Sequence, residues 1–233
     1  MNSPPPHSRQ PVFIFGTGRG ADTARRYFAD ESGYDLVGFV VDREFLRETT
    51  FHGRPVVTSD EALGRFPPHD VMAFVPLGPA RMNIIRRDKY LQLKSLGYRF
   101  VSYVHPSNRL HAGCTVGENC FILENQSINL DVTIGDNVVM WSGCQIGDRS
   151  RIGDHVFMAS HVVVNGDAEV GEASYLGSNC TIVGGVRVGR QSFIGANALI
   201  AENTKDLAVH VVTPTPALEI DSVRFVTLLR HPI

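Results

Sequence analysis

Two groups of residues have the types and spacings that chemistry needs. In the first, Gly16-Thr17-Gly18-Arg19-Gly20-Ala21 follows the apolar run Val12 to Phe15 and fits the pattern G-x-G-x-x-A, with a helix expected through Tyr27. A strand, a glycine turn and a helix make a phosphate site, because backbone N–H groups and the positive end of the helix meet an anion with no side chain in the way. A second apolar run, Leu36 to Val41, ends in Asp42, about where a ribose-binding acid falls in such units. Gly16, Gly18, Gly20, Asp42 and Gly78 are thus the candidate substrate-binding residues, for a nucleotide or nucleotide-sugar. The second group lies in the other half of the chain: His111, Asp148, Arg149, His155, His161 and the four cysteines, Cys114, Cys120, Cys144 and Cys180. Their meaning depends on the element that holds them.

That element is announced by a strict period. From Val104 to Ile200 every sixth residue is Leu, Ile, Val or Met, without interruption. Helical and simple strand periods do not give six, whereas a parallel β-helix of hexapeptides does. Three hexapeptides make a coil of 18 residues, marked by Gly117, Gly135, Gly153, Gly171 and Gly189 along one edge. The aliphatic column is core, each side chain contributing roughly 1.5–3 kcal/mol on burial. All four cysteines fall two residues before a column position, in a slot that also carries mostly Ser, Ala and Val, so they read as small buried residues rather than zinc ligands.

Three residues after each column position stands a corner slot occupied mainly by Gly, Asn, Asp and His, the residues that tolerate positive φ. A left-handed turn at every corner gives a left-handed β-helix. His155 and His161 occupy this slot, where backbone geometry alone accounts for a histidine. His111, His155 and His161 fall on different edges with no completing carboxylate or thiolate, so no metal is expected.

The residues before the period are enough for one mononucleotide-binding half but not for a full dinucleotide fold. Strands are expected at Val71 to Val75 and Phe100 to Val104, with a helix over Ala80 to Leu96 whose Arg81, Arg86, Arg87, Lys89 and Lys94 read as a solvated face rather than a phosphate clamp. The fold class is therefore an α/β Rossmann-like half domain followed by an all-β left-handed parallel β-helix. The division is 1–10 flexible N-terminus, 11–103 nucleotide-binding domain, 104–203 β-helix and 204–233 tail. With 22 Lys plus Arg against 24 Asp plus Glu, the net charge of -2 points to neither nucleic acid nor a membrane surface. The sequence carries no long apolar span and no secretory h-region, so a cytoplasmic location is expected.

Taken together, GTGRGA, GFVVD at 38–42, VHPSNRL, WSGCQIGDRSRIGDH, ASHVVVNG and YLGSNCTI resemble the bacterial sugar acyltransferases of the NeuD/PglD type over nearly the whole chain. The resemblance implies a homotrimer that binds acetyl-CoA between neighbouring β-helices. It also implies transfer to the amine, less often a hydroxyl, of a nucleotide-linked amino sugar for surface polysaccharide. It places Gly166, Gly177, Ser178, Asn179 and Ala196 in the CoA groove, and it puts a catalytic His at 148 with a tuning neighbour at 149. This chain has Asp148 and Arg149 there, and a carboxylate accepts a proton less readily than imidazole at neutral pH. Three arrangements answer the substitution: Asp148 orients an amine deprotonated by another route, His161 supplies the base, or the scaffold binds without catalysing. Asp148, Arg149 and His161 are the catalytic candidates. VVTPTPALEI and the residues after it depart from the family's ending and receive no assignment.

Overall fold

The computed structural model describes residues 9–31 and 33–228, so most of the expected flexible N-terminus and the last five residues lie outside it. Strand β1 (Gln10–Phe15) leads through the glycine turn into helix α1 (Arg19–Glu31), followed by β2 (Tyr34–Val41). Then come β3 (Thr50–Phe51), β4 (Arg54–Thr58), the short helix α2 (Ala62–Arg65), β5 (Met72–Phe74) and helix α3 (Ile84–Ser95). The sheet order is β3-β4-β2-β1-β5, parallel except for the β3–β4 pair. Helix α1 buries Ala21, Ala24 and Phe28, one stripe at helical spacing, against this sheet.

Helix α3 starts later than Ala80, because Arg81, Met82 and Asn83 all take left-handed backbone conformations, with φ of 51°, 53° and 65°. The strand expected over Phe100 to Val104 is also divided. Phe100 makes a single bridge to Ala73, while Tyr103–Val104 already belongs to the β-helix.

From Tyr103 onward two-residue strands stack in three parallel sheets, each pairing 18 residues apart. Face one carries Arg109–Leu110 to Leu199–Ile200, face two Thr115–Val116 to Arg187–Val188, and face three Tyr103–Val104 to Phe193–Ile194. The column residues from Ile122 to Ile200 point inward and form one core with Cys120, Cys144 and Cys180, whereas Leu110 near the start of the column is exposed. Burial pushes those three thiols up, to about 12, 11 and 12 respectively. The cysteine slot has a second use, since several of its Ser and Cys side chains donate to the carbonyl 15 residues ahead, as in Ser150 Oγ to Asn165 O at 2.9 Å and Cys144 Sγ to Ala159 O at 3.2 Å.

All fifteen corner residues from Gly113 to Asn197 have φ between 50° and 81°, including Arg149, His155, His161, Ala173 and Gln191. The glycine line has a steric cause. A Cβ on Gly171 would sit 2.6 Å from the Arg190 nitrogen of the next coil. The helix runs one rung past 203, into the region assigned to the tail. Val209–His210 pairs with Phe193–Ile194 at a spacing of 16 residues, and that shortened coil hides the rung from a count of six. Beyond it, residues 211–219 and α4 (Ser222–Leu228) are exposed.

The N-terminal half sits on face three. Tyr103, Phe121, Val139 and Phe157, the outward residues of that face, are buried with Val12, Ile14, Phe28 and Phe74. Helix α3 lies along the edge between faces two and three (117–120, 135–138, 153–156, 171–174). Its Arg86 is fully buried and donates to the carbonyls of Leu77, Asn137, His155 and Val156 and to Asn83 Oδ1, the shortest contact being 2.7 Å to His155 O. Burial lowers its pKa to about 9, which still leaves a cation at neutral pH. Nearby, Tyr90 Oη reaches Glu118 at 2.5 Å and Asp136 at 3.0 Å, and Lys94 bonds to Tyr90 and Glu118. The expected solvated face is thus corrected: two of its five cations, Arg86 and Lys94, join the halves.

Corner side chains under α3 form a ladder. Val75 N–H donates to Asn119 Oδ1, Asn119 to Asn137 Oδ1, and Asn137 lies 2.9 Å from His155 Nδ1. Asn137 Nδ2 can only donate, so Nδ1 is the acceptor and the ring is neutral. Burial agrees, lowering the His155 pKa to about 4. His155 is therefore a structural residue.

Two measurements check this account. Arg86→Met leaves several buried acceptors without a donor and is expected to lower unfolding free energy by about 3 kcal/mol. Its denaturation curve by fluorescence of Trp141, the chain's one tryptophan, should separate from the curve by circular dichroism, which also reports the helices of the N-terminal half. For His155 the folded pKa is depressed, so the unfolded chain binds more protons between about pH 6.5 and 4, and stability falls as pH drops through that window. His155→Asn, matching the residues above it in the ladder, should remove roughly 2–3 kcal/mol of that fall.

Candidate functional site

Two places gather the sequence-derived candidates. The first is a 420 Å³ cleft at the C-terminal ends of β1 and β2, lined by Phe15, Gly16, Thr17, Gly18, Val41, Asp42, Phe45, Arg47, Leu77, Ile85 and Lys89. Gly16 holds φ at 101°, and a Cβ on Gly18 would meet nothing within 4 Å, so the turn leaves its backbone open to a ligand. Gly20 is not part of the lining. A Cβ there would lie 2.1 Å from the Pro76 carbonyl, so its role is the close approach of α1 to the loop after β5. Gly78 does not line the cleft either.

Asp42 is anchored through one oxygen. Its Oδ1 accepts from Ser59 Oγ at 2.9 Å and from Lys89 Nζ at 2.7 Å. Lys89 thus belongs to the site and not to a solvated helix face. The sequence contained one signal for this: Ile85, Lys89 and Gln92 share a face of α3 at helical spacing, while Arg86, Tyr90 and Leu93 share the buried one.

The second place is the β-helix, where the candidates divide between two edges that flank face one. Asp148, Arg149 and Gly166 stand on the edge between faces one and two (147–150, 165–168). His161, Gly177, Ser178, Asn179 and Ala196 stand on the edge between faces three and one (159–162, 177–180, 195–198). Within one chain, Asp148 and His161 are not neighbours.

At the first of these edges, Asp148 Oδ1 accepts from Leu130 N–H at 3.1 Å, across one coil. Asp154 does the same for Asp136 N–H, and Asp136 for Glu118 N–H, so the contact is a recurrent coil-to-coil link. Arg149 does not pair with Asp148. It makes a two-pronged ion pair with Asp167, at 2.7 and 2.8 Å, which holds the Asp167 carboxyl below the usual carboxylate range.

At the other edge, His161 is exposed and its ring lies over Gly143, where a Cβ would come within 2.5 Å of Nδ1 and Cε1. Gly177 is buried and packs on the Ala196 nitrogen, whereas Ser178, Asn179 and Ala196 are accessible. Small side chains here leave the backbone within reach of an extended ligand. Along the same edge Glu124 accepts from Tyr27 Oη at 2.9 Å and Ser142 Oγ at 2.7 Å, tying α1 to the β-helix. His111, His155 and His161 occupy three different edges, and among the described residues no group of three or more His, Cys, Asp or Glu is placed to hold a metal ion. No described helix is long and apolar enough to cross a membrane.

No curated protein matches the chain. Among solved structures, the perosamine N-acetyltransferase of Caulobacter crescentus was seen with CoA and GDP-perosamine, as a variant with asparagine in place of one histidine. It superposes with a TM-score of 0.74 at 24% identity, covering 85% of this chain and 91% of that one. The acetyltransferase domain of PglB from Neisseria gonorrhoeae, in complex with acetyl coenzyme A, gives 0.74 at 18% identity over 86% and 95%. WeeI from Acinetobacter baumannii gives 0.72 at 18% identity over 89% and 99%. At these identities the likeness establishes the fold: a Rossmann-like half domain on a left-handed parallel β-helix. Within the β-helix, residues 131–166 and 167–202 each match the model of the bacterial transferase hexapeptide family, which describes six repeats.

Proposed function

We propose that this protein is a CoA-dependent acyltransferase that moves an acetyl group to the amine of a nucleotide-linked amino sugar, for use in surface polysaccharide. One observation supports the reading: a glycine-turn cleft with the anchored carboxylate of Asp42 in its wall is fixed, through Arg86 and face three, to a hexapeptide β-helix. Relatives of this fold were solved with CoA and GDP-perosamine and with acetyl coenzyme A.

In this reaction the amine nitrogen attacks the thioester carbonyl, the tetrahedral oxyanion is held by backbone N–H groups, and collapse releases CoA as thiol while the amine loses a proton. Ser178, Asn179, Ala196 and Gly177 would line the donor along one edge, with Gly166 on the other. His161 is the candidate base. Asp148, whose Oδ2 carries no hydrogen bond among the described residues, would orient the amine, with Arg149 held aside by Asp167. Because these residues occupy two edges of one prism, a site that uses both forms where the first edge of one copy meets the other edge of its neighbour. A closed homotrimer supplies that meeting three times.

A second reading has its own support. The Asp148 contact to Leu130 N–H repeats the structural links of Asp136 and Asp154, as expected of a scaffold that binds CoA and a nucleotide-sugar without catalysis.

CoA release should be followed with UDP- and GDP-linked amino sugars. The transferase reading expects turnover by the wild type, a loss of about 100-fold or more in kcat for His161→Ala, and a smaller loss for Asp148→Asn. No turnover with any acceptor while CoA still binds, together with activity appearing in Asp148→His, overturns it in favour of the binding scaffold.

A further inference from the structure

Lys89 leaves α3 one turn after Ile85 and brings its ammonium into the cleft lined by Gly16, Thr17 and Gly18. Its Nζ donates to Asp42 Oδ1 at 2.7 Å and to Gln92 Oε1 at 2.8 Å, and lies 5.5 Å from the centroid of the Phe15 ring. Phe15 is the residue before the glycine turn, so the cation stands beside the start of that turn. An ammonium has three donors, and two are in use. Asp42 is in the complementary condition: Oδ1 takes both Ser59 and Lys89, while Oδ2 accepts no hydrogen bond among the described residues. The two side chains are 21% and 19% exposed, sheltered enough for their charges to act strongly and open enough for a ligand to reach.

The electrostatics of the cleft require such a cation. A bare carboxylate at Asp42 would repel a phosphate arriving at the turn, and the ammonium at 2.7 Å cancels most of that field. The pair also divides the work by atom, because ligand hydroxyls can bond to the free Oδ2 without displacing Lys89.

We propose that Lys89 is a direct ligand of the diphosphate of a nucleoside-diphosphate-linked substrate, giving its third N–H to a phosphate oxygen while it keeps Asp42 turned toward the ribose. The backbone N–H groups of the turn meet the diphosphate from one wall and Lys89 from the other. The proposal rests on the reading of this cleft as a nucleotide site, and it makes Lys89 the residue that separates diphosphates from nucleosides and monophosphates.

The test is titration calorimetry with UDP, GDP, CDP and dTDP and the matching monophosphates, on the full chain. Lys89→Met is expected to weaken the preferred diphosphate about tenfold or more, the monophosphate less, and to flatten the dependence of Kd on salt. Lys89→Arg should stay within about threefold of wild type, since it keeps the charge and a donor. An unchanged unfolding midpoint in each variant shows that the fold is intact.

The decisive comparison is made in an Asp42→Asn background. If Lys89 contacts the diphosphate, Lys89→Met still costs about tenfold there. If it costs nothing there, Lys89 serves only to hold Asp42 and the proposal is overturned, as it also is if Lys89→Met binds diphosphate like wild type. Failure of the wild type to bind any of the nucleotides is a different result, which removes the nucleotide reading itself.

Discussion

A fully buried guanidinium is the deepest polar link between this molecule's two halves. Arg86 is fully buried, has no carboxylate partner among the described residues, and divides its donors between the loop after β5 and the corners of two successive coils. Burying an unpaired cation is unfavourable unless polar acceptors surround it, and here main-chain carbonyls do so in a fixed fork geometry that lysine could not match. Three of those carbonyls, of Asn137, His155 and Val156, belong to corners of the β-helix. The cleft at the glycine turn, whose wall includes Leu77 and Ile85, is thereby positioned against a particular coil of the β-helix and not merely against its apolar face.

Much of the β-helix was legible because its physics repeats. A column residue that must be apolar, a glycine that must let the next coil approach, and a corner that must turn left each recur at fixed spacing, so one misread residue is outvoted by its equivalents. Arg149 and Gln191 are not residues that favour positive φ, yet the period alone assigns them corners, and both have it. Where the repeat is broken the sequence says less. The rung at Val209–His210 is absent from a count of six because its coil is two residues short. The ladder from Asn119 to His155 depends on α3 covering that edge, which no local pattern states.

The N-terminal half has no repeat to average over, and its legibility was correspondingly uneven. The turn at Gly16 and the acid at Asp42 were readable from spacing, and the cleft brings them together. Gly20 has the right spacing for a ligand contact but is placed by the Pro76 carbonyl, a contact between segments far apart in sequence. Helix α3 shows the same problem more sharply. Its cations read as one solvated face, yet neighbours on the helix have opposite fates: Arg86 faces the β-helix, Lys89 faces the cleft, and Lys94 bridges to Glu118. The candidate site of the β-helix was legible residue by residue, while its division between two edges became visible only when coils and corners were assigned.

The shortened last coil also bears on where the molecule stops. A solenoid of identical 18-residue turns presents at its end an unpaired strand edge that could template growth by another copy of itself. Here the final rung is drawn in by two residues and the corner before it is rebuilt around Asn203, Thr204 and Asp206, which bond back to Arg187, Gly189 and Arg190. An incoming coil of regular length would find its strand and corner positions out of step with that edge. The irregularity that concealed the last rung from the sequence therefore also gives the β-helix an end that a regular 18-residue coil does not match.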